Sequence, residues 1–312
     1  MRFPPSGLTA AIVASIVWGL FPAAEPSAAP ATPAACAFDR EIIAELADPA
    51  AETEARLAAA FAPGATIHGS ATEPDRDAPA WLAQRVADRA GIGHADTTVN
   101  ALLLDGDAAI AVWTVTGDAP PENGATPGPA APRRWEGVDV YRLACGRIAE
   151  VWTLEQRIDD PAAMPLANPP DRTCDTPAPT RAEADAALRV WLVDGWSRSD
   201  LSAVNALLDP DVAYHSVPYS ETNGPAGADD AIAGTRAVLP DLSNTPETPV
   251  IDGEWTGAHW RAEGANTGGD DPTGRWATWT GVDVLRLQCG RIVEIWSIED
   301  LSALQAQLEG GA

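Results

Sequence analysis

The sequence predicts an α+β protein built from two tandem copies of one domain. Three observations carry this. Residues 135–156 (WEGVDVYRLACGRIAEVWTLEQ) recur, with most positions identical, at residues 279–300 (WTGVDVLRLQCGRIVEIWSIED). In the second copy, segments of helical periodicity come first and strand-like segments follow. The four cysteines occupy equivalent places in the two copies.

At 312 residues the chain is long enough for about two ordinary domains. It carries 45 acidic against 20 basic residues, a formal net charge of -25. A surface that acidic repels phosphate backbones and anionic headgroups, which argues against nucleic acid and membrane surfaces as partners. From the N-terminus, Arg2 is followed by the apolar run Leu8 to Phe21 and then by small residues through Ala29 and Ala31. That order matches a secretory signal over residues 1–31, so the mature protein is expected to be secreted or periplasmic. A retained anchor is the other reading, disfavoured by the shortness of the run.

The first domain is expected over residues 32–160, and the Pro-rich stretch 161–173 lacks periodicity and reads as a linker. The second domain follows over 174–305, with a short tail over 306–312. Duplication favours pairing Cys36 with Cys145 and Cys174 with Cys289, because each bond then repeats the other. An oxidising compartment would preserve them. Each would close a loop worth up to about 4 to 5 kcal/mol in the chain-entropy picture. Buried thiols or metal ligands are the alternatives, but no Cys-x-x-Cys spacing occurs.

The elements of the second copy follow in order. Thr180 to Trp196 places Ala184, Ala187, Leu188, Trp191 and Leu192 on one helical face, with Thr180 and Glu183 at capping-box spacing. Ser199 to Leu208 is a second short helix. Val212 to Val217 is a strand carrying His215, and Ala228 to Leu239 a third helix ended by Pro240. Strands are then expected over Val250 to Trp255, His259 to Ala265, Trp276 to Leu287 and Arg291 to Ile298, the last two joined by a tight turn at Cys289-Gly290.

These residues carry a resemblance. His215, Pro240-Asp241-Leu242, Trp260-Arg261-Ala262-Glu263-Gly264, Pro272-Thr273-Gly274-Arg275 and VDVLRLQCGRIVEIWSIED occur in the order of the SnoaL-like polyketide and ester cyclases of the nuclear-transport-factor-2-like superfamily. The first copy keeps the His68 segment, the Trp113 strand and the final hairpin but lacks the Pro-Thr-Gly-Arg segment, so it resembles the family less. The resemblance implies a cone-shaped α+β barrel: a curved antiparallel sheet wrapped over helices around an apolar cavity. It also implies pairing through sheet faces, which the two copies would supply as an intramolecular pseudo-dimer. It further places a small hydrophobic molecule in the cavity.

Strand parity gives the candidate chemistry. Asp283, Leu285 and Leu287 share one face, as do Val293, Ile295 and Ser297; the first copy repeats this with Asp139, Tyr141, Leu143 and Ala149, Val151, Thr153. An aspartate on an apolar face has its pKa raised by desolvation, which suits a general acid or base. A structural carboxylate bonded to backbone or arginine is the other reading. His215 is the second catalytic candidate, and His68 holds the equivalent place. Arg261, Trp260, Ser297, Trp279, Asp139 and His68 are the candidate ligand contacts. His259 and Arg261 should face away from Trp260. The cyclases of this family have an acid/base aspartate where Ser297 and Thr153 stand here, and a hydroxyl cannot serve as that base. No metal-ligand spacing or phosphate loop occurs, so neither cofactor nor metal is expected. Acid/base catalysis of a cyclase, isomerase or hydrolase kind in the second domain is one expectation; a non-catalytic hydrophobic-ligand or interaction module is the other.

Overall fold

The computed structural model describes residues 38–70, 74–119, 131–158, 169–217, 220–247, 249–270 and 272–310. The expected signal segment, Cys36 and most of the expected linker lie outside them.

The first domain runs α1 (Arg40–Ala47), α2 (Glu54–Ala58), β1 (Phe61–His68), β2 (Arg76–Asp77), α3 (Ala78–Ala90), β3 (Gly93–Asp105), β4 (Ala108–Ala119), β5 (Ala131–Leu143) and β6 (Ile148–Ile158). The second runs α4 (Arg181–Arg189), α5 (Leu201–Leu207), β7 (Leu208–Val217), β8 (Ser220–Asn223), α6 (Pro225–Val238), β9 (Ser243–Pro246), β10 (Val250–Asp252), β11 (Trp255–Ala265), β12 (Trp276–Gln288), β13 (Arg291–Glu299) and α7 (Leu301–Glu309). A widened π-helical segment, Val190–Ser197, continues α4. The Thr180–Glu183 capping box forms as its spacing predicts. Residues 306–309 of the expected tail are helical: α7 crosses the predicted boundary at residue 305 and is capped by Gly310, whose φ of 82° suits a glycine C-cap.

Each domain has one sheet, ordered β2-β1-β6-β5-β4-β3 and β10-β11-β12-β13-β7-β8. Two expectations are corrected here. The sheets are mixed, not antiparallel throughout, because β1 pairs β6 and β7 pairs β13 in parallel. They are also open; the end strands do not pair with each other, so neither sheet closes into a barrel. The intervening helix and strands supply the long connection that parallel neighbours need.

Pleating sorts the side chains onto two faces. Leu285, Leu287 and Ile295 face the second domain's helices, with Trp191, Leu192 and Ile232. Tyr141, Leu143 and Val151 do the same in the first domain, with Leu46, Trp81 and Leu82. A β-bulge in each hairpin puts Ile292 and Ile148 into these cores where Val293 and Ala149 were expected. The opposite faces meet each other: Ile110, Val112, Val138 and Leu154 pack with Val282, Val284, Trp296 and Ile298. The tandem copies therefore cover one another's outer sheet faces. Both hairpin turns use positive φ at Cys-Gly, 46° and 74° at Cys145-Gly146 and 51° and 75° at Cys289-Gly290. Cys174 and Cys289 are bonded, with Cα atoms 5.2 Å apart.

Candidate functional site

The Gly-Val-Asp triplet of each copy builds a buried carboxylate site. Trp260 stands opposite Gly281 and Trp113 opposite Gly137 in the antiparallel register. A Cβ at either glycine would collide with the facing indole. The bare glycine lets the ring lie flat across the neighbouring strand, so its N–H reaches the aspartate two residues on. Trp260 Nε1 donates to Asp283 at 3.1 Å, and Trp113 Nε1 donates to Asp139 at 3.0 Å.

The remaining partners differ. Asp283 accepts from Trp191 Nε1 at 2.5 Å and from Ser297 Oγ at 2.8 Å, and no cation pairs with it among the described residues. Burial pushes its carboxyl up to about 6 against the pull of these three donors. Asp139 also accepts from Tyr141 and Thr153, but its main partner is Arg85, whose two terminal nitrogens bind its two oxygens at 2.7 and 3.1 Å. Burial works against the Arg85 charge, yet Asp139 holds its pKa above the ordinary arginine value.

Asp283 is sealed, at 1% exposure, and borders neither large cavity. The second domain's cavity, about 550 Å³, opens one layer further out, between the strand ends, α6 and α7. Val238, Leu239, Leu301, Leu304 and Leu308 give it apolar walls. Glu299 lines it, two residues past Ser297 on the same strand face. Burial raises the Glu299 carboxyl to about 7; the Trp279 N–H, donating at 3.0 Å, opposes this, and the nearby Asp283 reinforces it. Trp196 also lines the cavity, and its buried Nε1 makes no hydrogen bond among the described residues. Glu299 was not among the sequence candidates. Its signal was present: a glutamate on the parity of Ser297, repeated as Glu155 in the first copy, where it lines a cavity too.

The two catalytic candidates, Asp283 and His215, do not meet. His215 stands opposite Trp296 in the parallel register and stacks on it at 3.8 Å, on the outer face. There its Nδ1 lies 2.6 Å from Glu221, with Glu294 3.7 Å from Nε2. Burial disfavours its charge, but the two glutamates win and raise its pKa. Glu136 and Arg134 of the first domain complete this buried polar cluster, and burial raises the Glu136 carboxyl to about 7. His68 likewise stacks on Trp152, at 5.0 Å, and Trp152 stacks on His259, at 5.7 Å. Arg261 projects away from the cavity into solvent, 3.6 Å from Glu263, because it lies on the strand face opposite Trp260. Of the predicted contacts, the structure thus joins Trp260 and Ser297 to Asp283 and places Trp279 on Glu299. His215, His68 and Arg261 lie elsewhere, and Asp139 is closed off by Arg85.

Family models fall one on each domain. A family described as SnoaL-like polyketide cyclase matches residues 186–308, and one described as SnoaL-like domain matches residues 46–151. No curated protein matches significantly. Among solved structures, the chain is similar to AclR of Streptomyces galilaeus, a provisionally assigned hydroxylase, at 25% identity over 42% of this chain and 83% of that one, TM-score 0.38. It is similar to IdmH of Streptomyces antibioticus, a provisionally assigned polyketide cyclase, at 26% identity over 40% and 98%, TM-score 0.36. It is also similar to an M. tuberculosis LEH-like epoxide hydrolase at 17% identity over 43% and 94%, TM-score 0.35.

Proposed function

From the premise that this chain consists of two SnoaL-like domains in tandem, we propose that the second domain binds a small, largely apolar molecule and exchanges a proton with it through Glu299. The observation that supports this is one carboxyl group at one cavity. Glu299, raised to about 7, borders about 550 Å³ of mostly apolar space. A carboxylic acid that titrates near neutrality gives and takes protons at similar cost, as general acid–base catalysis requires. Trp279 orients it. The unpartnered Trp196 N–H would be satisfied by a ligand carbonyl or hydroxyl oxygen, an arrangement that also suits a developing oxyanion. Asp283 sits behind this wall as a positioning charge that raises Glu299, not as a group that meets the ligand.

The test is titration of the full chain with 2-naphthol and with naphthalene, followed by tryptophan fluorescence. The hydroxylated compound should bind more tightly, and Trp196→Phe should weaken it by about 2- to 10-fold, the worth of one hydrogen bond. Equal affinities for the two compounds, untouched by Trp196→Phe, would remove the reading. Binding without turnover is the second reading, favoured by the three-donor seal around Asp283. Glu299→Gln separates them: in an enzyme it abolishes conversion while ligand binding persists. Export is proposed with the same function, and the N-terminal sequence of the mature protein tests it.

A further inference from the structure

The first domain has a cavity of its own, about 460 Å³, and its chemistry is different. Arginines line it in a chain that is strongly acidic overall. Most of its charged groups already have hydrogen-bond partners. Arg85 is held by Asp139. Asp88 accepts from Gln84 at 2.7 Å. Asp300, reaching in from the start of α7, accepts from Ser70 at 2.9 Å, from Ser302 and from the helix backbone.

Arg89 is the exception. It follows Arg85 by one turn of α3, and only 6% of it is exposed. Trp113 lies under its guanidinium, 4.6 Å from the ring centroid. Its Nε has a long contact to the Ala47 carbonyl, and its buried Nη2 makes no hydrogen bond among the described residues. The nearest carboxylate, Glu155, stands 4.0 Å away, beyond hydrogen-bond distance. That carboxylate is 40% exposed, so solvent screens what it offers Arg89. A desolvated guanidinium without a hydrogen-bonded counter-charge is costly, and an arriving anion removes the cost.

We infer that the first domain's cavity is a binding site for a small carboxylate, held by Arg89 between Trp81 and Trp135. A carboxylate matches the planar donor edge of a guanidinium. The two indoles on the cavity wall suit a short apolar or aromatic body behind it. This rests on different residues from the proton exchange proposed for the second domain, and either can fail without the other.

The experiment titrates the full chain with acetate, benzoate and succinate, with neutral benzamide as the shape control, and follows indole N–H resonances by NMR. Trp135→Phe assigns the resonance at the cavity wall. At least one carboxylate should move that resonance saturably and bind about tenfold or more tightly than benzamide, the usual gain from a charged hydrogen bond. Arg89→Gln should abolish the preference, and Arg89→Lys should restore part of it. Silence of the Trp135 resonance to all three carboxylates overturns the inference. So does equal binding of benzoate and benzamide, or a preference that survives Arg89→Gln. If Arg89→Gln does not fold, the benzoate–benzamide comparison on the unaltered chain decides alone.

Discussion

Asp139 and Asp283 occupy the same place in the two copies, and their surroundings teach opposite lessons. Both lie under a tryptophan that crosses a glycine, and both accept a hydroxyl from the adjoining strand. In the first domain α3 adds Arg85, and the carboxylate becomes half of a buried ion pair. In the second domain the third donor is the neutral indole of Trp191, from the widened turn after α4. The change of partners, Arg85 and Tyr141 against the Trp191 indole, separates a buried ion pair from a carboxyl raised to about 6. Asp283 in turn pushes up Glu299 at the cavity; Asp139 acts on Glu155 in the same sense, but there Arg85 and Arg89 oppose it. Duplication supplied the frame, and the helical layer decided what each frame holds.

The sharpest way to break this comparison is to remove Arg85. Arg85→Met leaves Asp139 hydrogen-bonded by neutral donors, with Arg89 as the remaining nearby cation, and should cost roughly 3–5 kcal/mol of unfolding free energy, as breaking a buried pair does. Asp283→Asn discards no ion pair and should cost less than half as much. Urea denaturation of both variants, followed by tryptophan fluorescence, measures the two losses. Equal costs would mean that the arginine does not set the two sites apart.

A second pair of substitutions tests the shared frame. Gly137→Ala and Gly281→Ala each place a methyl group where an indole lies. Overpacking of that kind costs about 1–3 kcal/mol, and the costs should be similar in the two copies because the frame is the same. A large asymmetry would show that one indole is free to retreat.

Much of this frame was legible in the sequence. Period-two parity put Asp283, Leu285 and Leu287 on one face, and the repeat doubled the evidence with Asp139, Tyr141 and Leu143. Parity failed where it needed a register it could not supply. His215 belongs to β7, and only its pairing with Trp296, beyond extra residues inserted in β7, fixes it on the outer face. The bulge that moves Ile292 inward has no signature in the VDVLRLQCGRIVEIW pattern. Arg85 and Arg89 were unreadable for another reason. An arginine in an amphipathic helix is ordinarily solvent-facing, and only Asp139 and the Trp113 ring explain two buried ones. The openness of the sheets was equally hidden, since the order of elements along the chain does not say whether the end strands pair.

The smallest expected effect sharpens the comparison most, because it reads Asp283 directly. Its folded-state pKa, about 6, lies above its ordinary value of 3.8, so the unfolded chain releases that proton first. The stability it contributes is therefore complete below about pH 4 and is lost as pH rises through 6. Glu299 and Glu136, each raised to about 7, act with the same sign over a window that ends higher. Carboxyls held low by partners, such as Asp209 beside Arg172, act oppositely, contributing above their ordinary pKa and losing that contribution in acid. Between pH 6 and 7.5 the buried groups alone should make the protein less stable, with Asp283 responsible for less than ~1 kcal/mol, or about 1–3 °C in Tm. Asp283→Asn should remove its share of the slope over that interval. Thermal melts of Asp283→Asn and of the unaltered chain at the two pH values measure that share, and an unchanged slope would mean that Asp283 does not titrate there.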